Sequence, residues 1–146
     1  MRTSSTAVLY SPALLGLAVD LADYPLTDRL TLHGEARSRS CGSTLALGCT
    51  ADEDGAIAEI GMRVSACAVG QAAAAIFVRQ AHGRDAASLK RSLAGVDGWL
   101  AGCGDRPAWP GLEALDPALP HAGRHEAIRL PWRAALAALS NLPAAR

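Results

Sequence analysis

The sequence has no excess of charge of either sign. It carries 14 Lys and Arg residues against 14 Asp and Glu residues, so its formal net charge is zero. A neutral chain has no long-range field that attracts nucleic acid or an anionic membrane surface. We therefore expect neither nucleic acid nor a membrane among its partners, and any partner must be recognised by a local surface.

Long apolar runs are also absent. No apolar stretch approaches the roughly 20 residues that a bilayer-spanning helix needs. Pro12, Asp20 and Asp23 interrupt the N-terminal region, and no small-residue cleavage site of a signal peptide follows it. With 146 residues, 50% of them hydrophobic, the chain is long enough to bury one core. We predict a single domain over residues 1–146 in the cytoplasm, where thiols stay reduced.

The four cysteines contain no CxxC pair, which excludes the usual zinc ribbon. Cys49 continues an apolar alternation, and we predict that it is a core residue. Cys103 lies in the glycine-rich "AGCGD", which predicts a loop without assigned chemistry. Cys41 lies in a polar loop and Cys67 at a helix start, which are poor positions for core thiols. We therefore assign the chemistry of this chain to Cys41 and Cys67.

The hydrophobic pattern predicts an α+β fold. A short helix over residues 12–20 ends in the turn-like "DYPLTD", and a proline-rich connector precedes a terminal helix over 124–142, in which Pro131 indicates a kink or a start. Alternating runs predict three strands, "RLTLHGEA", "TLALGC" and "AIAEIGMRV". Two more helices are predicted from "SACAVGQAAAAIFVRQAHG", which stops at Gly83, and "DAASLKRSLAGVDGWLAG".

The link "TADEDG" predicts a hairpin that brings Cys41 and Cys67 to one edge. If the turn centres near Glu53 and Asp54, Cys41 lies about 12 positions before the centre and Cys67 about 13 after it. We expect their Cα atoms within roughly 10 Å of each other. Unpaired N–H groups at the helix start favour a thiolate, which is both a metal ligand and a sulfur nucleophile.

Several motifs resemble the IscU/SufU (NifU N-terminal) family of iron-sulfur cluster assembly scaffolds over nearly the whole chain. "LYSPALLGLAVDLADYPL" resembles the N-terminal helix of that family, "SCGS" its first cysteine motif, and "ACAVGQAAAAIF" its second cysteine with the helix that follows. The segment "LEALDPALPHAGRHEAIRLPWRAAL" is similar to the end of the SufU branch. The resemblance implies a SufE/NifU-like fold, in which a three-stranded antiparallel sheet packs against helices.

The resemblance also implies a metal or cluster site of three cysteines and an aspartate, and its first two cysteine positions match Cys41 and Cys67. The aspartate position is Ser43 and the third cysteine position is Ala127. Serine is a poor metal ligand and alanine is none. The neighbouring "HAGRHEA" offers His121, His125 and Glu126 as substitutes, of which we select His125. Two other histidines, His33 and His82, have weaker claims, and the arginines of "RSR" favour a thiolate or belong to a solvated loop.

Two functions remain open. In the first, Cys41 or Cys67 takes persulfide sulfur from a cysteine desulfurase, and Cys41, Cys67 and His125 transiently hold iron, an iron-sulfur cluster or zinc for recipient apoproteins. In the second, the chain is a metal-free, degenerate family member with an interaction or regulatory role. The retention of both thiols at one edge favours the first function, and the loss of two ligand positions favours the second. We favour a non-enzymatic scaffold or sulfur-transfer protein, and a hydrolytic enzyme is a distant third interpretation because no serine, histidine and acid arrangement can be placed.

Overall fold

The computed structural model describes residues 12–40 and 42–143. Its long helices are α1 (Pro12–Val19), α2 (Ala68–Arg79), α3 (Ala86–Leu100) and α4 (His125–Leu139). Its strands are β1 (Leu32–Arg37), β2 (Thr44–Ala51) and β3 (Ile57–Ser65). Short 3-10 helices cover Asp20–Asp23, Leu112–Ala118 and Ala122–Arg124. The predicted α+β fold is confirmed.

The three strands form one antiparallel sheet in the order β1-β2-β3. The predicted hairpin between β2 and β3 is confirmed, and Asp52 organises its turn. The Asp52 carboxylate accepts hydrogen bonds from the backbone N–H groups of Asp54 at 2.9 Å and Ala56 at 3.0 Å. Gly55 supplies the left-handed backbone, with φ of 81°.

Strand β1 begins at Leu32, so the prediction that Leu30 belongs to this strand is wrong. Leu30 is only 3% exposed and lies on the face of the sheet opposite the helices, over Gly48 and Gly61. A Cβ atom built on Gly48 would lie 2.9 Å from the Leu30 Cβ, and one on Gly61 would lie 2.1 Å from the Pro25 carbonyl oxygen. The chain before β1 therefore crosses this face where the two glycines leave room for it.

The other face of the sheet carries the core. Leu45 and Leu47 are each 1% exposed. Gly34 pairs with Leu47 and lies on the same face. A Cβ atom built on Gly34 would lie 2.1 Å from the Ala134 carbonyl oxygen, so α4 packs directly on β1. Cys49 is fully buried, as predicted, and burial raises the pKa of its thiol to about 11.

Helix α1 confirms the predicted helix over residues 12–20, although Asp20 begins the 3-10 segment that follows. Leu14 packs into the core at 4% exposure, whereas Leu15 and Val19 remain exposed. The first residues of "LYSPALLGLAVDLADYPL" lie outside the described part of the chain. Within the described ranges, no helix is long and apolar enough to cross a membrane.

Helix α2 ends at Arg79, four residues before the predicted stop at Gly83. The reason is a tertiary contact with the start of β3. Gly83, with φ of 84°, donates its N–H to the Ile57 carbonyl at 2.8 Å, and the Ile57 N–H donates to the Arg84 carbonyl at 2.9 Å. This turn holds the end of α2 against the sheet.

Helix α4 begins at His125 and continues through Pro131, so a helix start near Pro131 is wrong. The fully buried Trp132 anchors α4 on α2, with its ring centroid 5.1 Å from that of Phe77 and 5.1 Å from that of Trp109. Aromatic contacts of this kind stabilise a core beyond the area they bury. They fix the start of α4 relative to α2, which matters for the site below.

Candidate thiol site at one end of the sheet

The candidate site lies at the end of the sheet where β2 begins and β3 ends. Thr44 pairs with Ser65, and this is the last pair of the β2-β3 register. The segment before Thr44 and the segment after Ser65 therefore emerge at the same end, as the hairpin predicted. Cys41 lies outside the described residues, so its predicted Cα separation from Cys67 stays a prediction.

Cys67 occupies the N-cap position of α2. Its backbone is extended, with φ of −64° and ψ of 171°, and its side chain makes no capping hydrogen bond. The Cys67 carbonyl accepts the first helical hydrogen bond, from the N–H of Gln71 at 2.9 Å. The residue is half-buried. Its thiol therefore lies at the N-terminus of α2 and is not engaged in capping the helix.

The loop that contains Cys41 is closed at its base. The Ser38 N–H donates a hydrogen bond of 2.8 Å to the Ser43 carbonyl, and both residues are buried. Gly42 has φ of 70°, a left-handed conformation that favours glycine. The backbone conformation therefore explains why the "SCGS" motif has glycine at position 42, independently of the chemistry of the neighbouring thiol.

This loop is also tied to the start of α4. The backbone N–H of Arg39 donates to Oε1 of Glu126 at 3.0 Å, and the Ser40 hydroxyl donates to the Gly123 carbonyl at 3.1 Å. The sequence interpretation considered Glu126 only as a substitute ligand beside the lost cysteine, and not as a hydrogen-bond acceptor for this loop. The signal for its role was an acidic residue in the first turn of a helix, where the helix dipole favours it.

Ala127 is fully buried where α4 meets α2. A Cβ atom built on Gly70 would lie 3.3 Å from the Ala127 Cβ and 2.8 Å from the Ala66 Cβ. Gly70 is one helical turn after Cys67, so the position matching the family's third cysteine packs beside the start of α2. This position contributes a methyl group to helix packing and offers no metal ligand.

His125 is the first residue of α4 and is half-buried. Its Nε2 atom lies 2.9 Å from the Leu119 carbonyl oxygen. Since a carbonyl only accepts hydrogen bonds, Nε2 is the donor in this contact, and in the neutral imidazole Nδ1 is then the nitrogen with a free lone pair. Metal-binding histidines are commonly oriented by such a hydrogen bond to a carbonyl. The contact suits a ligand and suits a purely structural histidine equally well.

The other histidines divide into two groups. His121 is half-buried and directly precedes the 3-10 segment before α4, on the same stretch of chain as His125. His33 lies opposite Gly48 in the middle of the sheet, and Nδ1 of His82 lies 2.9 Å from the Ala58 carbonyl oxygen near the start of β3. The structure therefore does not bring His33 or His82 to the thiol end.

The ligand set of the described residues is small. In residues 12–40 and 42–143, no three His, Cys, Asp or Glu side chains are grouped so that they could hold a metal ion. A structural zinc site uses four ligands, and an iron-sulfur cluster is normally held by four protein ligands. Cys67 and His125 are the described residues that our prediction offers as ligands, so these two alone do not close such a site.

No family model matches the sequence, and no curated protein matches it either. The fold is that of NifU N-terminal and SufU proteins. A NifU-like N-terminal protein from Brucella abortus has 22% identity and a TM-score of 0.82, with 94% of this chain and 96% of that one covered. A protein named as a putative iron-sulfur cluster assembly scaffold for the SUF system, from Fervidobacterium islandicum, has 17% identity and a TM-score of 0.76 over 90% and 96% of the two chains.

A third structure, a hypothetical protein, has 19% identity and a TM-score of 0.58 over 88% of this chain and 98% of that one. At these identities the likeness establishes the fold. The resemblance that the sequence motifs indicated is thus confirmed at the level of architecture, including the three-stranded antiparallel sheet. The assignment to the SufU branch stays a prediction.

Proposed function

We propose that this protein is an iron-sulfur cluster assembly scaffold or sulfur acceptor that takes persulfide sulfur from a cysteine desulfurase. The observation that supports this most directly is the position of Cys67, a half-buried thiol at the N-cap of α2 that makes no capping hydrogen bond. The fold shared with NifU-like and SufU proteins adds to this support.

The sulfur step needs one thiolate on this chain. The Cys67 thiolate attacks the outer sulfur of the desulfurase persulfide, so a new S–S bond forms on Cys67 while the S–S bond of the desulfurase breaks. The desulfurase cysteine leaves as a thiolate, and no external oxidant or reductant is consumed. Cys41, in the loop tied to α4, is the second thiol that we propose for this step.

Iron, an iron-sulfur cluster or zinc is the cargo in this proposal, held transiently by Cys41, Cys67 and His125. Fewer than four protein ligands favour easy release, because a closed site of four ligands holds its metal most firmly. Release suits a protein that passes cargo to recipient apoproteins. The cytoplasm, where thiols stay reduced, is the compartment in which we expect this chemistry.

The test is sulfur transfer to protein purified without oxygen. The chain is incubated with a cysteine desulfurase and cysteine, and peptide mass spectrometry locates any added sulfur. We expect one extra sulfur atom on Cys67 or Cys41 and none on Cys49, which is fully buried. Replacing Cys41 and Cys67 with serine should abolish the transfer. The matched control is Cys103→Ser, since Cys103 is an exposed thiol on another part of the surface.

Circular dichroism must show that the double serine variant keeps its fold. Transfer to the folded double variant at the parent rate would refute the proposal. Transfer that disappears with Cys103→Ser would assign the reaction to a different thiol and would refute it equally.

A second candidate function, that of a metal-free interaction or regulatory protein, is favoured by one observation. Ser43 and Ala127, the two altered ligand positions, are 3% and 0% exposed. Ser43 is buried at the base of the loop, and Ala127 is buried in α4. Metal analysis of protein purified without oxygen, with an ultraviolet-visible spectrum, separates the candidates: bound iron or zinc supports the scaffold, and metal-free protein that accepts no sulfur supports the interaction role.

A further inference from the structure

A recess of about 320 Å³ lies on the face of the sheet opposite the helices, next to the thiol end. Two rows of residues that are paired across the strands provide its outward-facing side chains. The row nearer the middle of the sheet is Glu35, Ala46 and Arg63, and the row at the thiol end is Arg37, Thr44 and Ser65.

The recess results from the sizes of these side chains. The central strand β2 presents the small residues Ala46 and Thr44 as the floor, while long side chains on β1 and β3 form the walls. The next position of β2 on this face is Gly48, which Leu30 covers. The recess is therefore closed on the side nearer the middle of the sheet. On the other side it opens toward the end of the sheet where Cys67 precedes α2.

The charged residues of the recess have no ion-pair partner among residues 12–40 and 42–143. Arg37, Arg63 and Glu35 are exposed, and none of them forms an ion pair within the described part of the chain. By contrast, four arginines outside the recess are paired with carboxylates, namely Arg29, Arg79, Arg106 and Arg129. A guanidinium matches a carboxylate in a two-pronged arrangement of hydrogen bonds, and hydroxyl groups donate further hydrogen bonds to the same ligand.

We propose that this recess binds the carboxylates of an acidic peptide segment of a partner protein. Arg37 and Arg63 lie on opposite walls and in neighbouring rows, so they suit two carboxylates of one extended segment. The volume is at the low end of small-ligand pockets, which fits a few side chains. The identity of the partner, a protein that reacts with Cys41 or Cys67, rests on the proposed function. The binding of an acidic peptide to the recess does not depend on it.

The experiment uses the whole chain labelled with nitrogen-15, without a sulfur donor or metal, so that its outcome is independent of the sulfur-transfer proposal. The probe is acetyl-tetraglutamate amide, with acetyl-tetraglutamine amide as the uncharged control. We expect concentration-dependent shifts of the Thr44, Ala46 and Ser65 amide signals with the acidic probe. Higher salt should weaken this binding, since exposed charge pairs are screened.

Two variants and a matched control test the arginines. Arg37→Gln and Arg63→Gln should each weaken binding about five-fold, the upper range for one exposed charge pair. Arg91→Gln, which changes an exposed arginine of α3, should leave the affinity unchanged. Shifts that are equal for both peptides, or equal losses in all three variants, would overturn the proposal. Succinate binding as tightly as the peptide would overturn the assignment to a peptide segment.

Discussion

The backbone N–H of Arg39 donates a hydrogen bond of 3.0 Å to Oε1 of Glu126, joining positions 87 residues apart in the chain. This contact ties the loop that holds Cys41 to the first turn of α4, the helix that carries His125 and Ala127. Since Ser40 also bonds to Gly123, the loop has two attachments to the same segment. The start of α4 therefore helps to position the candidate site even though it lacks the family cysteine.

Glu126→Ala should loosen the loop around Cys41. Loss of one exposed hydrogen bond to a charged acceptor removes about 1 kcal/mol of local stability, so the Arg39 amide should exchange with solvent about five-fold faster. Hydrogen exchange followed by nuclear magnetic resonance measures this. Glu113→Ala, an exposed carboxylate in the Leu112–Ala118 segment, is the control. Unchanged exchange of Arg39 in Glu126→Ala would show that the contact does not hold the loop.

Restoring the two altered ligand positions should increase metal retention. We expect Ser43→Asp with Ala127→Cys to keep about one zinc ion per chain through gel filtration, because four ligands then become available. The added sulfur atom should lower the free energy of unfolding by about 1 to 3 kcal/mol, because Ala127 is already tightly packed. Ala138→Cys, fully buried in the same helix but beside Gly34, is the matched control. Equal zinc content in the restored and control variants would contradict the prediction.

His125→Ala should lower the metal content of protein purified without oxygen. Nδ1 of His125 is the ring nitrogen left for a metal once Nε2 bonds to the Leu119 carbonyl. Elemental analysis measures the effect, and His121→Ala serves as the control on the same segment. The variant also loses one hydrogen bond, worth about 1 kcal/mol of stability. A lower melting temperature with unchanged metal content would make His125 a structural residue only.

The thiols should differ in their reaction rates with an alkylating reagent. Cys67, which is half-buried, should react faster near neutral pH than Cys49, which is fully buried. Cys103, which is exposed, calibrates the rate of a solvent-accessible thiol. Mass spectrometry of digested protein gives the three rates. If Cys49 reacts as fast as Cys67 in the folded protein, the assignment of Cys49 to the core fails.

The free energy of unfolding should fall in alkaline solution because of Cys49. Burial raises the pKa of this thiol in the folded state from an ordinary value of 9.0 to about 11. Between these values the unfolded chain has released the proton and the folded chain has kept it, so stability is lost as pH rises through this window. The loss is on the order of 2 kcal/mol.

Urea unfolding at a series of pH values measures this loss. Cys49→Ala should lower the stability near neutral pH, because it removes a buried side chain, and should show a flatter decline over the alkaline window. An equally steep decline in the variant would assign the alkaline effect to other groups.

Local patterns were enough to predict most of the architecture. The alternation in "TLALGC" and "AIAEIGMRV" placed Leu45, Leu47 and Cys49 on one buried face, because successive strand residues point to opposite sides. The hairpin turn was predictable from "TADEDG", whose Asp and Gly residues have strong local preferences. Where boundaries were missed, at Leu30 and at Gly83, the cause was a contact with a distant segment of the chain.

For this protein, the sequence by itself determined the three strands, the helices and the two cysteine motifs, since each depends on neighbouring residues. Only the tertiary structure decided that Glu126 accepts a hydrogen bond from the loop containing Cys41. It also decided that Ala127 packs against Gly70 and that Arg37 and Arg63 line the same recess. These relationships join residues far apart in the chain, and their distances follow from how the helices pack on the sheet. No local preference encodes such a distance, so the sequence could indicate the chemistry of the site but not its surroundings.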